Sequence, residues 1–229
     1  MGMSKNIWIT GTGTDVGKTF VTGLIVKKLK ESGRDAAYFK AAMSGNARRE
    51  DGTLIPGDAE WVKKVSGIRQ PVEEMCPYLY ENAYSPHLAA RLEGNPVRME
   101  VVKEWFGRTA AKYDYVTAEG SGGILCPICF DGEKVWLEDV IKELGPACLI
   151  VADAGLGTIN HAVLTAEYME RKGIPVKGFI FNRFHPGNIM EEDNVRMCRE
   201  RTGLKVLACV KEGDAQLELD AEELAALYE

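Results

Sequence analysis

The stretch Gly11-Thr12-Gly13-Thr14-Asp15-Val16-Gly17-Lys18-Thr19 decides the fold of this chain. It follows a short apolar segment, Lys5–Thr10, and opens a segment, Lys18–Ser32, whose apolar residues recur at helical spacing. A glycine-rich loop between a strand and a helix is typical of phosphate binding, because the N–H groups of the loop and of the helix start can donate to phosphate oxygens. The sequence therefore predicts a phosphate loop here, and a Gly-rich turn without a ligand is the weaker alternative.

Two residues of this loop add chemistry to the backbone donors. Lys18 supplies an ammonium for the β- and γ-phosphates, and the hydroxyl of Thr19 can bind Mg²⁺. The loop is a variant, because the standard spacing has glycine five residues before Gly17, where this chain has Thr12. Its glycine is Gly11, one residue earlier.

Beyond the loop, apolar runs alternate with segments of helical spacing, which indicates right-handed strand–helix–strand crossovers and a mostly parallel sheet. We expect one α/β domain over residues 1–229, with helices flanking the sheet, of the P-loop NTPase type. The segment 41–57 is polar and Gly-rich and predicts a loop. The predicted strands are Lys5–Thr10, Ala36–Lys40, Tyr113–Glu119, Ala147–Asp153, Val176–Asn182 and Lys205–Val210. The predicted helices are Lys18–Ser32, Asp58–Ser66, Pro86–Arg91, Glu100–Lys112, Trp136–Leu144, Asn160–Arg171, Met190–Thr202 and Leu217–Leu227.

Composition narrows the class of protein. The 229 residues carry 28 basic and 34 acidic side chains, a net charge of −6, which argues against a general nucleic-acid binder. No apolar run reaches the ~20 residues that span a bilayer. Residues 1–6 lack the layout of a signal peptide, and Asn6 stands where a myristoylation motif needs Ser or Thr. We expect a cytoplasmic protein without membrane or nucleic-acid partners, whose six cysteines are reduced thiols.

Polar residues end several of the predicted strands. Lys40, Glu119 and Asn182 lie at strand ends that meet at one edge of a parallel sheet, where ligands bind in such folds. Glu119 is a candidate Mg²⁺ ligand. Asp58 has two interpretations, the N-cap of the helix that it opens or a second metal ligand.

Six motifs in chain order, together with Asp58, resemble those of the dethiobiotin synthetase family. The family's first loop, G-T-x-T-x-V-G-K-T, is matched from Gly11 to Thr19, and its V-E-G-x-G-G by residues 118–123. The other matches are K-P-x-x-S-G at residues 40–45, S-P-H-x-A-A at 85–90, L-G-x-I-N-H-x-x-L-T at 156–165, and the Asn after the next strand at Asn182.

The resemblance implies an ATP- and Mg²⁺-dependent ligase that closes a ureido ring on 7,8-diaminopelargonate with CO₂, through a carbamate and a carbamic–phosphoric anhydride. Lys18 and Lys40 would be catalytic, and Thr19, Asp58 and Glu119 would bind Mg²⁺. A homodimer is implied, because the 157–160 segment would serve the neighbouring subunit's substrate. The implied nucleotide contacts are Asp15, Val16, Gly17, Lys18, Thr19, Phe20, Asp58, Glu119, Gly120, Ser121, Gly122, Asn182 and Arg183. The implied substrate contacts are Thr14, Ser44, Gly157, Thr158 and Asn160.

The chain departs from the family at two places. Ala41 replaces the proline after the catalytic lysine, which removes a backbone restraint while the Lys40–Ser44 spacing is kept. Residues 207–211 lack the family's Gly and Pro near the last strand, so the nucleobase preference is open.

Other functions of the chain, and purely structural roles for some of its residues, remain as alternatives. A switch ATPase of the partitioning type would begin its loop with a lysine that crosses the dimer, and Thr10-Gly11-Thr12 has none. A glutamine amidotransferase would need a further domain, and a nucleotide-binding regulator without chemistry stays open. The pair Cys126 and Cys129 has no second pair for zinc and is interpreted as two ordinary thiols. His87 and His161 are expected to cap or pack.

Overall fold

The computed structural model describes residues 4–145 and 147–229. Its central sheet has six strands, and every adjacent pair in it is parallel. In chain order these strands are β1 (Lys5–Gly11), β2 (Ala36–Lys40), β5 (Tyr115–Glu119), β8 (Cys148–Asp153), β9 (Val176–Asn182) and β10 (Val206–Val210). The spatial order is β10-β9-β8-β1-β5-β2. The predicted α/β class and mostly parallel sheet are confirmed.

Eight α-helices connect the strands of the described part of the chain. They are α1 (Lys18–Glu31), α2 (Gly57–Ser66), α3 (Pro86–Leu92), α4 (Met99–Lys112), α5 (Leu137–Leu144), α6 (Thr158–Arg171), α7 (Ile189–Thr202) and α8 (Ala221–Ala225), with a 3₁₀ turn at Val72–Glu74. Two small sheets pair β3 (Ala42–Met43) with β4 (Tyr78–Leu79) and β6 (Pro127–Cys129) with β7 (Val135–Trp136).

The central sheet is covered on both faces, and β1 shows why. Successive side chains of a strand point to opposite faces. Ile7 and Ile9 therefore lie in one apolar cluster with residues of α1, α2 and α8. Trp8 lies in the other cluster, with residues of α4, α5, α6 and α7. Burial on both faces explains why the middle of β1 is apolar on both of its faces.

Three sequence predictions are corrected by the structure. Helix α2 begins at Gly57 after Pro56, so the prediction of Asp58 as its N-cap is wrong. The last helix spans only Ala221–Ala225, because the Asp220 carboxylate accepts from the N–H groups of Glu222 and Glu223 and fixes the start there. The segment 41–57 is not all loop, since it contains β3.

The length and hydropathy of the helices indicate whether any of them could span a membrane. None of the described helices is both long and apolar enough to cross a bilayer. The predictions for Met1 and Gly2, at the start of the chain, lie outside the described residues.

Candidate active site

A cavity of about 730 Å³ lies at the carboxyl edge of the sheet, beside the ends of β1, β2 and β5. It brings together twelve of the residues predicted as site residues. These are Thr14, Asp15, Gly17, Lys18, Thr19, Lys40, Ser44, Asp58, Glu119, Ser121, Gly122 and Arg183. The parallel strands place these side chains together because they all end at this edge.

The phosphate loop has the close packing that its glycines allow. A Cβ at Gly11 would lie 2.8 Å from Cγ2 of Val16. The packing within the loop therefore favours glycine at residue 11, one position before the standard one. Gly17, the N-cap of α1, has φ +91°, and a Cβ there would lie 1.9 Å from Nδ2 of Asn182. The ammonium of Lys18 donates to the carbonyl of Gly13 over 2.7 Å and so spans the loop.

Lys18 is held in an unfavourable place for a positive charge. Its side chain is buried, and burial together with the nearby ammonium of Lys40 lowers the pKa of Lys18 to about 8. Such an ammonium is short of negative partners, which a polyphosphate would provide.

Lys40 is the centre of the charged groups in the cavity. Its Nζ lies 2.6 Å from Oδ2 of Asp58 and 2.6 Å from Oε1 of Glu119. Burial opposes the charge of Lys40, but the carboxylates of Glu119 and Asp58 outweigh it and raise its pKa above the ordinary value. Lys40 is therefore protonated and is held in position by two ion pairs. Asp58 is one of its partners and does not cap a helix.

Glu119 receives hydrogen bonds on both oxygens. Oε1 accepts from Thr19 Oγ1 over 2.8 Å as well as from Lys40, and Oε2 accepts from the hydroxyl of Tyr38 over 3.0 Å. Tyr38 was not predicted as a site residue, because in the sequence it is only one aromatic residue of an apolar strand. The available signal was its position two residues before Lys40, which puts both side chains on one face of β2. Burial and the negative charge of Glu119 raise the pKa of Tyr38 well above its ordinary value.

Asn182 and Arg183 connect the end of β9 to the phosphate loop. The amide of Asn182 donates to the carbonyl of Val16 over 3.1 Å, while its buried Oδ1 has no partner among the described residues. The guanidinium of Arg183 binds Asp153 over 2.7 Å and the carbonyl of Asp15 over 2.8 Å. Arg183 therefore brings a cation to the cavity wall, and Asn182, directly before it in the chain, holds a buried acceptor without a partner among the described residues.

On the opposite side, the cavity wall is formed by small polar groups. The hydroxyl of Ser44 is buried without a hydrogen-bond partner among the described residues, and Ser121 donates to the carbonyl of Ala42 over 2.9 Å. Tyr84 and Ser85 also line the cavity and were not predicted as site residues. The S-P-H motif was the signal that could have found Ser85, whose hydroxyl lies 3.0 Å from Nδ1 of His87.

Seven other predicted residues, Asn182 among them, are not among those lining the cavity within the described chain. Val16 and Gly120 support it from behind, because Val16 accepts from Asn182 and the N–H of Gly120 donates to Ile9 over 2.9 Å. Phe20 packs against Trp61, with ring centroids 5.6 Å apart. Gly157, Thr158 and Asn160 lie at the start of α6, outside the cavity formed by their own chain.

The two cysteines of the C-x-x-C pair occupy different environments. Cys126 lines the cavity, and burial raises its pKa to about 11, whereas Cys129 is buried at the end of β6. Both are free thiols. Among residues 4–145 and 147–229, no group of three or more His, Cys, Asp and Glu side chains is arranged to hold a metal ion. His87 packs edge-on against Phe130, and His161 is exposed.

Solved structures with this fold include a cell division complex, a ParA family ATPase and a signal recognition particle protein in complex with GDP. A MinC:MinD cell division complex of Aquifex aeolicus matches with a TM-score of 0.56 at 16% identity, covering 91% of this chain and 82% of that one. A ParA family ATPase of Chlorobium tepidum matches with a TM-score of 0.54 at 14% identity, covering 93% of this chain and 85% of that one. At such identities the likeness shows the fold alone, which is that of the P-loop NTPases.

Proteins with similar sequences identify the family, which the fold alone does not. A family model described as an AAA domain matches residues 5–217. A protein of Brachyspira hyodysenteriae named ATP-dependent dethiobiotin synthetase is 48% identical over 228 residues, 99% of this chain and 100% of that protein. The protein of that name from Clostridium perfringens is 45% identical, over 97% of each chain. With identity at this level over almost its whole length, this chain belongs to the ATP-dependent dethiobiotin synthetase family, a family of ligases.

Proposed function

We propose that this chain uses ATP and Mg²⁺ to join CO₂ to 7,8-diaminopelargonate and close its ureido ring. The observation that carries the proposal is the meeting of five charged or polar side chains in one cavity: Lys18, Lys40, Thr19, Asp58 and Glu119. Opposite them is the Ser44 hydroxyl, which has no hydrogen-bond partner among the described residues. One side of the cavity has the groups for a polyphosphate, and the other has room and polar contacts for a small diamine. The cytoplasmic location and the single domain stay predictions.

The reaction divides into three steps that the cavity can organise. One amine of the substrate takes up CO₂ as a carbamate and releases a proton. A carbamate oxygen then bonds to the γ-phosphorus, and ADP leaves with the electron pair of the broken P–O bond. The second amine attacks the carbamoyl carbon, expels phosphate and loses its proton. Ser44 would hold the reacting amine or the carbamate.

Lys18 and Lys40 would stabilise the transferring phosphoryl group. Positioning and charge neutralisation supply most of the catalysis of phosphoryl transfer, since the protein forms no covalent bond itself. The Lys18 ammonium donates across the phosphate loop to the carbonyl of Gly13. Lys40, the last residue of β2, lines the same cavity. Two ammonium groups, that of Lys40 and, near pH 7, that of Lys18, would therefore stabilise the negative charge that develops on the phosphoryl group.

The side chains around Lys40 fit a magnesium ion. Mg²⁺ prefers oxygen ligands from hydroxyl, carboxylate and phosphate groups. Thr19, Asp58 and Glu119 offer one hydroxyl and two carboxylates, and the Lys40 ammonium between the carboxylates supports a site that attracts positive charge. When bound, Mg²⁺ would neutralise phosphate charge.

Replacing either carboxylate should raise the requirement for magnesium. We expect Asp58→Asn and Glu119→Gln each to raise the half-saturating Mg²⁺ concentration by at least about tenfold, because each loses an anionic oxygen near the ion. A magnesium titration of ATP turnover measures this. The matched control is Glu138→Gln, whose carboxylate binds Tyr168 and Lys172 outside the cavity. An unchanged titration would exclude the substituted residue as a ligand.

Nucleotide affinity should depend on pH through Lys18. With a pKa of about 8, Lys18 is mostly charged at pH 7 and mostly neutral at pH 9, and only the charged form attracts phosphates. We expect the Kd for ATP to rise about tenfold from pH 7 to pH 9, since each unit above the pKa removes tenfold of the charged form. Calorimetric titration at several pH values measures it.

Lys18→Arg provides the control for this pH dependence. Arginine stays charged throughout the range, while the ionisation of ATP is common to both proteins. The variant should therefore show a nearly flat profile between pH 7 and pH 9. A wild-type profile that is equally flat would contradict the role given to Lys18.

The far end of the cavity would bind the nucleobase. Oδ1 of Asn182 is buried without a partner among the described residues, and such an acceptor suits an exocyclic amino group. Arg183 lies beside it. Which base is preferred is left open by the departure at residues 207–211.

A homodimer would complete the substrate site. The 157–160 segment lies outside the cavity of its own chain, next to apolar side chains that are unusually exposed: Leu156 is 90% exposed and Leu164 is 58% exposed. Ile189, at the start of α7, is 83% exposed, and Asn194 of the same helix donates to the carbonyls of Ala154 and Gly155. Leu156, Leu164 and Ile189 are large exposed apolar side chains of the kind that an interface in a homodimer would cover.

One assay tests the proposed function. Phosphate release from ATP should depend on the presence of both diaminopelargonate and bicarbonate, and dethiobiotin should accumulate in step with the phosphate. A nucleotide-binding regulator would bind ATP without either product. A switch ATPase would release phosphate whether or not the diamine is present.

A further inference from the structure

Tyr38 is a buried residue of the site for which the proposed chemistry has no role. It lies on β2 and its side chain is fully buried, in the apolar cluster beneath α1 and α2. The side chain of Gln70 bonds both backbone groups of Tyr38, accepting from its N–H over 2.8 Å and donating to its carbonyl over 3.0 Å. The residue is therefore held by its backbone and by its packing, and its hydroxyl has a fixed place.

That hydroxyl determines how Glu119 is oriented. Tyr38 and Lys40 pair with Thr117 and Glu119 on the neighbouring strand β5. Within residues 4–145 and 147–229, Tyr38 is the one side chain that donates to Oε2 of Glu119. The other oxygen, Oε1, is then turned to Thr19 and Lys40. A carboxylate with donors on both oxygens has lost its freedom to rotate.

We propose that Tyr38 is a positioning residue that, through Glu119, sets the geometry of the metal site and of the Lys40 ammonium. The inference rests on the proposed function, because it takes Glu119 as a metal ligand. Without the hydroxyl, Oε2 would be buried without a donor, which is unfavourable. The carboxylate would turn to recover a hydrogen bond, and Oε1 would leave the orientation shared by Thr19 and Lys40. Groups that orient a metal ligand in this way affect metal affinity about 10–100-fold.

Tyr38→Phe removes the hydroxyl and leaves the packed ring. Its test is the binding of Mn²⁺, a paramagnetic substitute for Mg²⁺, to the protein loaded with a non-hydrolysable ATP analogue, measured by electron paramagnetic resonance. We expect Tyr38→Phe to weaken Mn²⁺ binding about tenfold. The affinity for the analogue without metal should stay as in the wild type.

The matched control is Tyr228→Phe. The hydroxyl of Tyr228 is also buried and lies 2.7 Å from Oγ1 of Thr117, on the same strand as Glu119 but without contact to the charged groups. Both variants lose one buried hydrogen bond, so both should unfold at a somewhat lower temperature. Tyr38→Phe alone should lose Mn²⁺ affinity, which a purely structural role would not produce.

A third variant separates this inference from the proposed function. Glu119→Gln should weaken Mn²⁺ binding, and adding Tyr38→Phe to it should cause little further loss, because both act through one carboxylate. If Glu119→Gln weakens binding and Tyr38→Phe does not, the positioning role is wrong while the metal site stands. If Glu119→Gln binds Mn²⁺ as tightly as the wild type, the metal site and the positioning role are both wrong.

Discussion

Lys40→Ala should lower kcat by about 10²–10³, the loss typical of one electrostatic contact to a developing charge. Lys40 is buried between Asp58 and Glu119, and their carboxylates keep it protonated. Its charge is therefore available at any pH at which the protein would be assayed. Because it lies in the cavity with the phosphate loop, its loss should act on the transfer step more than on nucleotide binding.

The measurement is kcat at saturating ATP, diaminopelargonate, bicarbonate and Mg²⁺, with the Kd for ATP measured separately. Lys172→Ala is the matched control, since Lys172 is also paired to a glutamate, Glu138, but outside the cavity. The control should keep wild-type kcat. A Lys40→Ala protein that turns over at a near-normal rate would show that Lys40 is not catalytic.

Two inactive variants should restore activity when they are mixed. If the 157–160 segment serves the neighbouring subunit, Asn160→Ala and Lys40→Ala damage parts of the site that come from different chains. A mixed dimer then holds one intact site, with Lys40 from one chain and Asn160 from the other. Random exchange makes half of the dimers mixed, so about a quarter of wild-type activity should return if pairing is symmetric and the sites are independent.

The control for this experiment is a mixture of Lys40→Ala with Lys18→Ala. Both lysines line the cavity of one chain, so neither site of a mixed dimer is intact and no activity should return. Exchange is verified with differently tagged subunits. If exchange is complete and the Asn160→Ala mixture stays inactive, Asn160 serves its own chain or has no part in the site.

The sheet and the phosphate loop could be predicted because their signals are local. Strands buried on both faces are continuous apolar runs, and five of the six predicted strands agree with the structure to within one residue at each end. The exception is β5, which begins at Tyr115 rather than Tyr113. There, Tyr113 is the C-cap of α4, and the chain turns into the strand only afterwards.

What could not be predicted depends on contacts between distant residues. From the residues alone Asp58 could be a helix cap or a metal ligand, and only the folded chain shows its carboxylate beside Lys40. Tyr38 reads as a core residue, because its hydroxyl bond to Glu119 joins positions 81 residues apart. The sequence predicted a last helix from Leu217, but Leu217 and Leu219 are buried from an irregular segment before the Asp220 cap.

The close approach of Gly17 to Asn182 couples the start of α1 to the end of β9, the two ends of the proposed nucleotide site. A methyl group at residue 17 would occupy the space of the Asn182 amide, 1.9 Å away, and the backbone there has a left-handed φ that side chains resist. The start of α1 and the end of β9 are therefore packed in direct contact, and there is no room between them for an added side chain. A protein engineer who wished to change the base that is bound could not widen that end by shifting Asn182 towards the loop. The change would displace the phosphate loop as well. Under the role proposed for Asn182, an altered base preference should therefore be sought on its β10 side, where residues 207–211 differ from the family.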